Sequence, residues 1–476
     1  MAKNKLELPE DRLASLDKMG GRLFIYPAQV RGFFRKWRTV TQIILIAIFL
    51  LLPWIKIGGQ QAVLLDLPGR KFALFGVTFW AHDAPMIFFV LAILTMSLAL
   101  MTALWGRVWC GWACPQTVFI DGVFRRIEEL IEGNHIERRK LDDAPMDAKK
   151  FFKRSLKWIL FTAVTLVITH SFLAYFVGAD RLVEMVQHKP AENWTNFLII
   201  LVTSGIILFD FAWFREQFCI IACPYGRFQS VLMGPRSKNV VYDYNRGEPR
   251  KGKAPKGEEA DCVNCYRCVQ VCPTGVDIRR GTQMECIACT ACIDACDEIM
   301  EKVNKPKGLI RYDSERNITE NRTSDGFEFR PRIALYAVLL VAAIAGMSYS
   351  LNTRQNFHLA VIRGEEPFSL ITQSDGTEIV TNHFKIHLNN QSFDDVKVEL
   401  TLPKQYVDQQ LELVSPINPV DVPAGGDMVR THIFIKSPKS FTLGKGQAYA
   451  EIEMTIKEKD KTETVIKQIS LLGPNQ

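Results

Sequence analysis

The sequence predicts a multi-domain membrane protein: an α-helical membrane bundle of five helices, an inserted cysteine-rich domain, and a C-terminal all-β immunoglobulin-like sandwich. Three observations predict it. Five apolar runs are long enough to cross a bilayer, at about Thr41–Ile57, Ala84–Trp105, Leu156–Gly178, Trp194–Phe214 and Ile333–Leu351. Eight of the twelve cysteines fall between Cys262 and Cys296. Residues 380–472 alternate apolar and polar in short runs separated by turns, as half-buried strands do.

The cysteine-rich stretch reads Cys262-x2-Cys265-x2-Cys268-x3-Cys272-Pro273, then Cys286-x2-Cys289-x2-Cys292-x3-Cys296. This is the bacterial two-cluster ferredoxin run, in which three cysteines of one run and the fourth of the other share a cluster. Cys262, Cys265, Cys268 and Cys296 are therefore expected to hold one [4Fe-4S] cluster. Cys286, Cys289, Cys292 and Cys272 are expected to hold the second. Zinc ribbons instead close paired Cys-x2-Cys knuckles on four ligands, and a disulfide framework needs an oxidising compartment. Asp297 stands where a proline usually follows the last cysteine, which is expected to weaken a turn without touching a ligand.

The balance of charge says little by itself, since 58 Lys and Arg against 51 Asp and Glu leave a net charge of only +7. Nothing in it asks for nucleic acid. The placement of the charge is more informative. The segment before Thr39 carries nine Lys and Arg, 106–155 carries ten and 215–332 carries twenty, while 58–83 and 179–193 carry two each. Positive charge stays on the cytoplasmic side, so the N-terminus and the ferredoxin-like segment are expected there, with the C-terminus periplasmic. The first run follows a 40-residue hydrophilic leader and has no small-residue cleavage site after it, so it reads as a membrane helix and not a signal peptide.

The leader's basic and aromatic stretch, Arg22 to Pro27 and then Arg31, Arg35, Lys36, Trp37 and Arg38, suits anchoring on an anionic leaflet, with partner docking as the alternative. Gly58-Gly59 and Pro68-Gly69 suggest a short hairpin in the first outer loop. The second and fourth apolar runs each end in Cys-x3-Cys-Pro, at Cys110/Cys114 and Cys219/Cys223, an internal repeat 109 residues apart. If helical, each pair stands on one face with Cβ atoms roughly 5–6 Å apart. That is wider than the ~3.5–4.5 Å a disulfide wants, and it suits two thiolates meeting a soft ion. The prolines are expected to stop or kink each helix. Two buried apolar cysteines are the plain alternative, and copper-binding or redox-active thiols the functional ones.

Other polar groups in the apolar runs have ordinary explanations available. His170 can bond a neighbouring helix carbonyl and Asp210 can pair with Arg215; Met86, Met96 and Met101 read as core. Val118–Glu132 reads as an amphipathic surface helix, and Tyr242–Lys251 as an extended connector over the cluster domain. The C-terminal segment has no cysteine and no clustered histidines, so no redox centre is expected there. Its six or seven strands suggest a sandwich serving as a binding or scaffold module.

Together these parts resemble the cbb3-type cytochrome c oxidase accessory proteins, the FixG, RdxA or CcoG family. The resemblance spans essentially the whole chain and rests on the basic leader, the two Cys-x3-Cys-Pro motifs, Arg246-Gly-Glu-Pro249-Arg250, the ferredoxin runs and the terminal sandwich. It implies a membrane-bound iron-sulfur protein of oxidase assembly in the bacterial inner (cytoplasmic) membrane. That protein would be a cupric reductase, turning Cu(II) into Cu(I) for the oxidase copper site. The implied partners are the lipid bilayer, the oxidase subunits, a copper-transporting P-type ATPase and an electron donor the sequence does not name. Copper is expected transiently at Cys110, Cys114, Cys219 and Cys223. Two rivals stand beside this reading: a quinol-linked electron-transfer ferredoxin, and a non-catalytic copper chaperone or assembly scaffold.

The expected domains are 1–40 (cytoplasmic basic leader), 41–235 (four-helix membrane domain), 236–331 (cytoplasmic ferredoxin-like domain), 332–352 (fifth membrane helix) and 353–476 (periplasmic immunoglobulin-like domain).

Overall fold

The computed structural model describes residues 23–57, 60–67, 71–80, 84–252, 260–322, 330–353, 357–366, 368–372, 378–390, 395–423, 428–442, 446–458 and 461–474. Arg22 and the turn residues Gly58, Gly59, Pro68 and Gly69 lie outside them. Among the described residues, five helices are long and apolar enough to cross a membrane: Phe33–Trp54, Met86–Trp105, Ala148–Val177, Pro190–Phe214 and Pro331–Asn352. At 1.5 Å per residue, about 20 apolar residues reach across a hydrocarbon layer ~30 Å thick. The chain divides into two compact units, Met1–Tyr349 and Ser350–Gln476.

In the first unit, the first spanning helix begins at Phe33, inside the basic stretch. Its N-terminus is capped from far along the chain: the Asp294 carboxylate accepts from the backbone N–H of Phe34 at 3.2 Å and of Arg35 at 2.7 Å. A carboxylate there satisfies donors that a helix start leaves without partners and complements its dipole. Arg38, expected at a lipid leaflet, is instead buried, with Nε donating to the Gly111 carbonyl at 2.7 Å and the guanidinium paired with Asp121. The loop between the first two spanning helices forms a three-stranded meander, Val63–Asp66, Lys71–Leu74 and Val77–Trp80.

The segment after the first Cys-x3-Cys-Pro is helical, as Pro115–Phe119, a π-type turn Ile120–Phe124, and Arg125–Glu132. It is not a surface helix. Phe119, Ile120 and Phe124 form a core with Phe161 of the third span and Phe211 of the fourth. The charged face is buried too: Asp121 joins Arg38 to Arg125, Arg125 reaches Glu216, and Glu128 receives Arg215 and Arg138. An amphipathic pattern says that one face differs from the other, not that the polar face meets water. Here the charges find one another, as buried charges must.

The Asp210 carboxylate does not pair with the Arg215 guanidinium. Its carboxylate accepts from the Gln116 amide at 3.0 Å, while Arg215 N–H groups go to Glu128. His170 bonds the Leu166 carbonyl of its own helix at 2.7 Å, not a neighbour's.

The ferredoxin-like segment is closed by an antiparallel pair, Lys238–Tyr242 with Ile310–Ser314. Tyr242–Lys251 is not simply extended: Asp243 caps a short helix, Tyr244–Gly247, and the Arg246 guanidinium holds Asp261 at 2.8 Å. The helix Ala291–Lys302 runs on past Cys296, so there is no turn at Asp297 to weaken. A proline would cost an interior helix bond there, whereas the Asp297 carboxylate accepts from Gly308 N–H at 2.9 Å.

The second unit is a sandwich of two antiparallel sheets. One, of five strands, is built on Glu378–Asn390 paired with Met428–Pro438 and Phe357–Arg363; the other has four strands, with Gln447–Glu458 between Val396–Thr401 and Lys461–Leu472. The described residues form nine strands where six or seven are expected, because short edge strands, such as Glu412–Val414 and Val420–Val422, carry too little alternation to read. Inward residues Phe384, Ile386, Leu388, Ile433, Ile435, Ile452 and Met454 fill the core, one face of each strand in period 2.

Candidate electron-transfer and thiol site

Each ferredoxin run folds as a tight loop entering a helix. Asn264 and Tyr266 of the first loop take left-handed backbone, φ 55° and 58°, and Ala288 and Thr290 of the second repeat it, φ 51° and 63°. Non-glycine residues rarely adopt this conformation, and it gathers where a site demands it. Alternating it with right-handed residues curls the chain into a concave nest of backbone N–H groups. Tyr266 and Thr290 then start the helices Arg267–Gln270 and Ala291–Lys302.

Two cavities result. One is lined by Cys262, Cys265, Cys268 and Cys296. The other is lined by Cys272, Cys286, Cys289 and Cys292, and Cys268 lines both. Burial, with repulsion from neighbouring cysteines, pushes the thiols of Cys268, Cys286 and Cys296 each up to about 12. Sulfurs so crowded are stable as thiolates only around a cationic core, which is what an iron-sulfur cluster provides. The donor sets therefore fit [4Fe-4S] clusters. Cys265 is exposed, while Cys272, Cys286 and Cys289 are buried.

The Cys-x3-Cys pairs do not lie along one helix. Cys110 is in the short helix Val108–Trp112, and Cys114 is extended and caps the next helix, with Pro115 its first residue. Cys219 lies in a π-type turn, Phe218–Ala222, and Cys223 repeats the extended cap before Pro224. The prolines thus start helices, where a missing N–H costs nothing. Thr117 Oγ1 bridges the break, donating to the Cys110 carbonyl at 2.5 Å and the Cys114 carbonyl at 3.1 Å. The two motifs meet: Cys110 feels the charges of Cys114 and Cys223, and Cys219 those of Cys114, Cys110 and Cys223. Burial is the main cause that pushes Cys110 up to about 11, against a hydrogen bond with the buried Gln229, and it raises Cys219 further. Among the described residues no three cysteine, histidine or carboxylate groups converge as a single-ion cage.

The thiol motifs also meet the second ferredoxin loop. Cys110 and Cys219 pack against a buried cluster that includes Ile287, Cys289 and Ala291. A Cβ on Gly111 would stand 2.6 Å from the carbonyl oxygens of both Ile287 and Ala288, so only glycine fits. Arg107 fastens the junction, one guanidinium nitrogen donating to the Met284 carbonyl and the other to Gly226 O at 2.7 Å. Tyr312 Oη donates to the Ala288 carbonyl at 3.1 Å. Sequence reasoning found the cysteines and missed Gly111, Arg107 and Gln229. The glycine between Cys110 and Trp112 was the one available signal.

This arrangement defines a membrane-bound 4Fe-4S electron-transport protein. A family model described as a "4Fe-4S dicluster domain" matches residues 214–315, a "4Fe-4S binding domain" matches 86–134, and an "IG-like fold at C-terminal of FixG" matches 347–474. The chain is 37% identical to Protein RdxA of Cereibacter sphaeroides over 394 residues, 79% of this chain and 82% of that one. It is 33% identical to Protein RdxB of the same organism over 449 residues, 90% of this chain and 91% of that one. It is 32% identical to the nitrogen fixation protein FixG of Rhizobium meliloti over 420 residues, 79% of each. The chain belongs to the FixG/RdxA family. A crystal structure of a FixG-related protein from Vibrio parahaemolyticus covers 25% of this chain and 98% of its own at 11% identity and a TM-score of 0.19, too low to carry an argument.

Proposed function

We propose that the chain reduces Cu(II) to Cu(I) for insertion into the copper site of a cbb3-type cytochrome c oxidase. The electron would pass from the ferredoxin-like domain to copper met at Cys110, Cys114, Cys219 and Cys223. The observation that carries this reading is the packing of Cys110 and Cys219 against the buried cluster that includes Ile287, Cys289 and Ala291. Bound [4Fe-4S] clusters supply low-potential electrons one at a time, matching the single electron each Cu(II) takes.

The chain's residues divide the work. Cys262, Cys265, Cys268 and Cys296 hold the first cluster, whose exposed Cys265 marks the side an electron donor can approach. Cys272, Cys286, Cys289 and Cys292 hold the second, nearest the thiol motifs. Thiolates favour the soft Cu(I) product. In this reading copper is the substrate, taken up as Cu(II) and released as Cu(I). In this reading the protein lies in the bacterial inner membrane, with the ferredoxin side cytoplasmic and the C-terminal unit periplasmic, and serves the oxidase beside a copper-transporting P-type ATPase.

The test is anaerobic purification with iron and sulfide quantified, reduction, then addition of Cu(II). One Cu(I) formed per cluster electron lost is expected, and serines at the four motif cysteines should abolish it with both clusters intact. Copper reduction unchanged in that variant overturns the site. Cluster reduction by a quinol favours the quinol-linked rival, and copper bound without turnover favours the chaperone.

A further inference from the structure

Histidines distant in sequence meet on the outer face of the five-stranded sheet. In the strand pair Glu378–Asn390 and Met428–Pro438, His383 stands opposite Phe434 and Lys385 opposite His432, so the two histidines are diagonal neighbours on one face. His383 Nε2 and His432 Nδ1 lie 2.8 Å apart, with rings 5.0 Å between centroids and 19° from parallel. The expectation of no clustered histidines in this unit is thus corrected, because cross-strand register joins what the sequence separates.

The His383 ring is held. It stacks on Phe434 at 4.7 Å and 14°, and a Cβ on Gly364 would stand 2.3 Å from its Nδ1. His432 is exposed, so the pair opens to solvent. The Lys385 ammonium shares this face and is held by Glu365 at 3.3 Å. Glu365 also lies within electrostatic reach of His383.

We propose that His383 Nε2 and His432 Nδ1 chelate a divalent transition-metal ion of tetragonal preference, Cu(II) above all. Two imidazole nitrogens at 2.0–2.1 Å from one ion and 90° apart stand roughly 2.9 Å from each other, whereas a tetrahedral angle spreads them to about 3.4 Å. The observed separation suits the square bite. Imidazole donors and the general affinity order for first-row divalent ions both favour Cu(II). Binding breaks the hydrogen bond and forms two metal–nitrogen bonds. In the neutral pair, the ring that donated moves its proton to its other nitrogen, so nothing is oxidised and no net proton is released. Water completes the coordination. This site stands apart from the thiols and does not rest on the function proposed above.

The experiment is electron paramagnetic resonance of the oxidised full-length protein in detergent, its free thiols alkylated, titrated with CuSO4. The wild type is expected to bind one Cu(II) with hyperfine structure from two nitrogens, at neutral pH and not below pH ~5. H383Q and H432Q should each lose that signal without lowering the melting temperature. G364A keeps both imidazoles while displacing one ring, and should weaken binding roughly tenfold. A wild type with no two-nitrogen signal, or a signal unchanged in all three variants, overturns the proposal.

Discussion

Gly111 and Ala288 touch backbone to backbone: a Cβ on the glycine would stand 2.6 Å from the Ala288 carbonyl oxygen. Gly111 follows Cys110 of the first thiol motif. Ala288 lies between Cys286 and Cys289 in left-handed backbone, φ 51°, and its carbonyl also accepts from Tyr312 Oη. Neither partner is a flexible side chain that can swing away.

Gly111→Ala therefore separates the ferredoxin loop from the thiol motifs without removing a ligand. Iron and sulfide content should stay at wild-type level, while Cu(II)-driven reoxidation of the reduced clusters, followed by stopped-flow absorbance, slows on the order of a hundredfold for a shift of about 1 Å. Wild-type kinetics in this variant would mean that electrons take another route.

Cys286→Ser and Cys262→Ser each remove one expected ligand from a different cavity. Each should lower the iron and sulfide bound to roughly half, since the runs build two clusters of equal composition. Only full loss or full retention in both variants would contradict this pairing of cysteines with cavities.

Glu128→Gln removes the carboxylate that receives the Arg215 and Arg138 guanidiniums in a buried setting. Leaving those charges uncompensated should destabilise the first unit by about 3–5 kcal/mol, measured by chemical denaturation. Leu130→Gln, on the exposed side of the same helix, should cost less than about 0.5 kcal/mol.

Acid should act through the same group. Burial alone would raise the Glu128 carboxyl, but Arg215, then Arg138 and Lys157, overturn this and bring it down to about 2, from an ordinary 4.5. A carboxylate lowered by folding contributes stability that is whole above its unfolded value and lost as pH falls through the folded one. Wild-type melting temperature should therefore drop between pH 4.5 and about 2, and the Glu128→Gln variant should lose the part of that drop due to this group.

Much of the architecture is legible in the residues themselves. The spacing of Cys262–Cys296 names the cluster chemistry because cysteines at every third residue bend a loop around one object. Runs of uncharged residues name the spans, and period-2 alternation from Phe384 to Ile456 names a sandwich. Each of these signals is local, carried by neighbours within one turn or one strand.

What only the tertiary structure decided is which distant groups share a place. Arg38, Asp121, Arg125, Glu128 and Arg215 each look like solvated charges in sequence, and become a buried network because the third and fourth spans close over them. Asp210 turns to Gln116, and His383 meets His432, through pairings with no periodic trace. The residues alone determined that this chain carries clusters and thiols in a membrane protein. Folding decided that Cys110 and Cys219 pack against the buried cluster that contains Cys289, because contact is a property of three dimensions and hydrophobic pattern records only which face is buried, not against what.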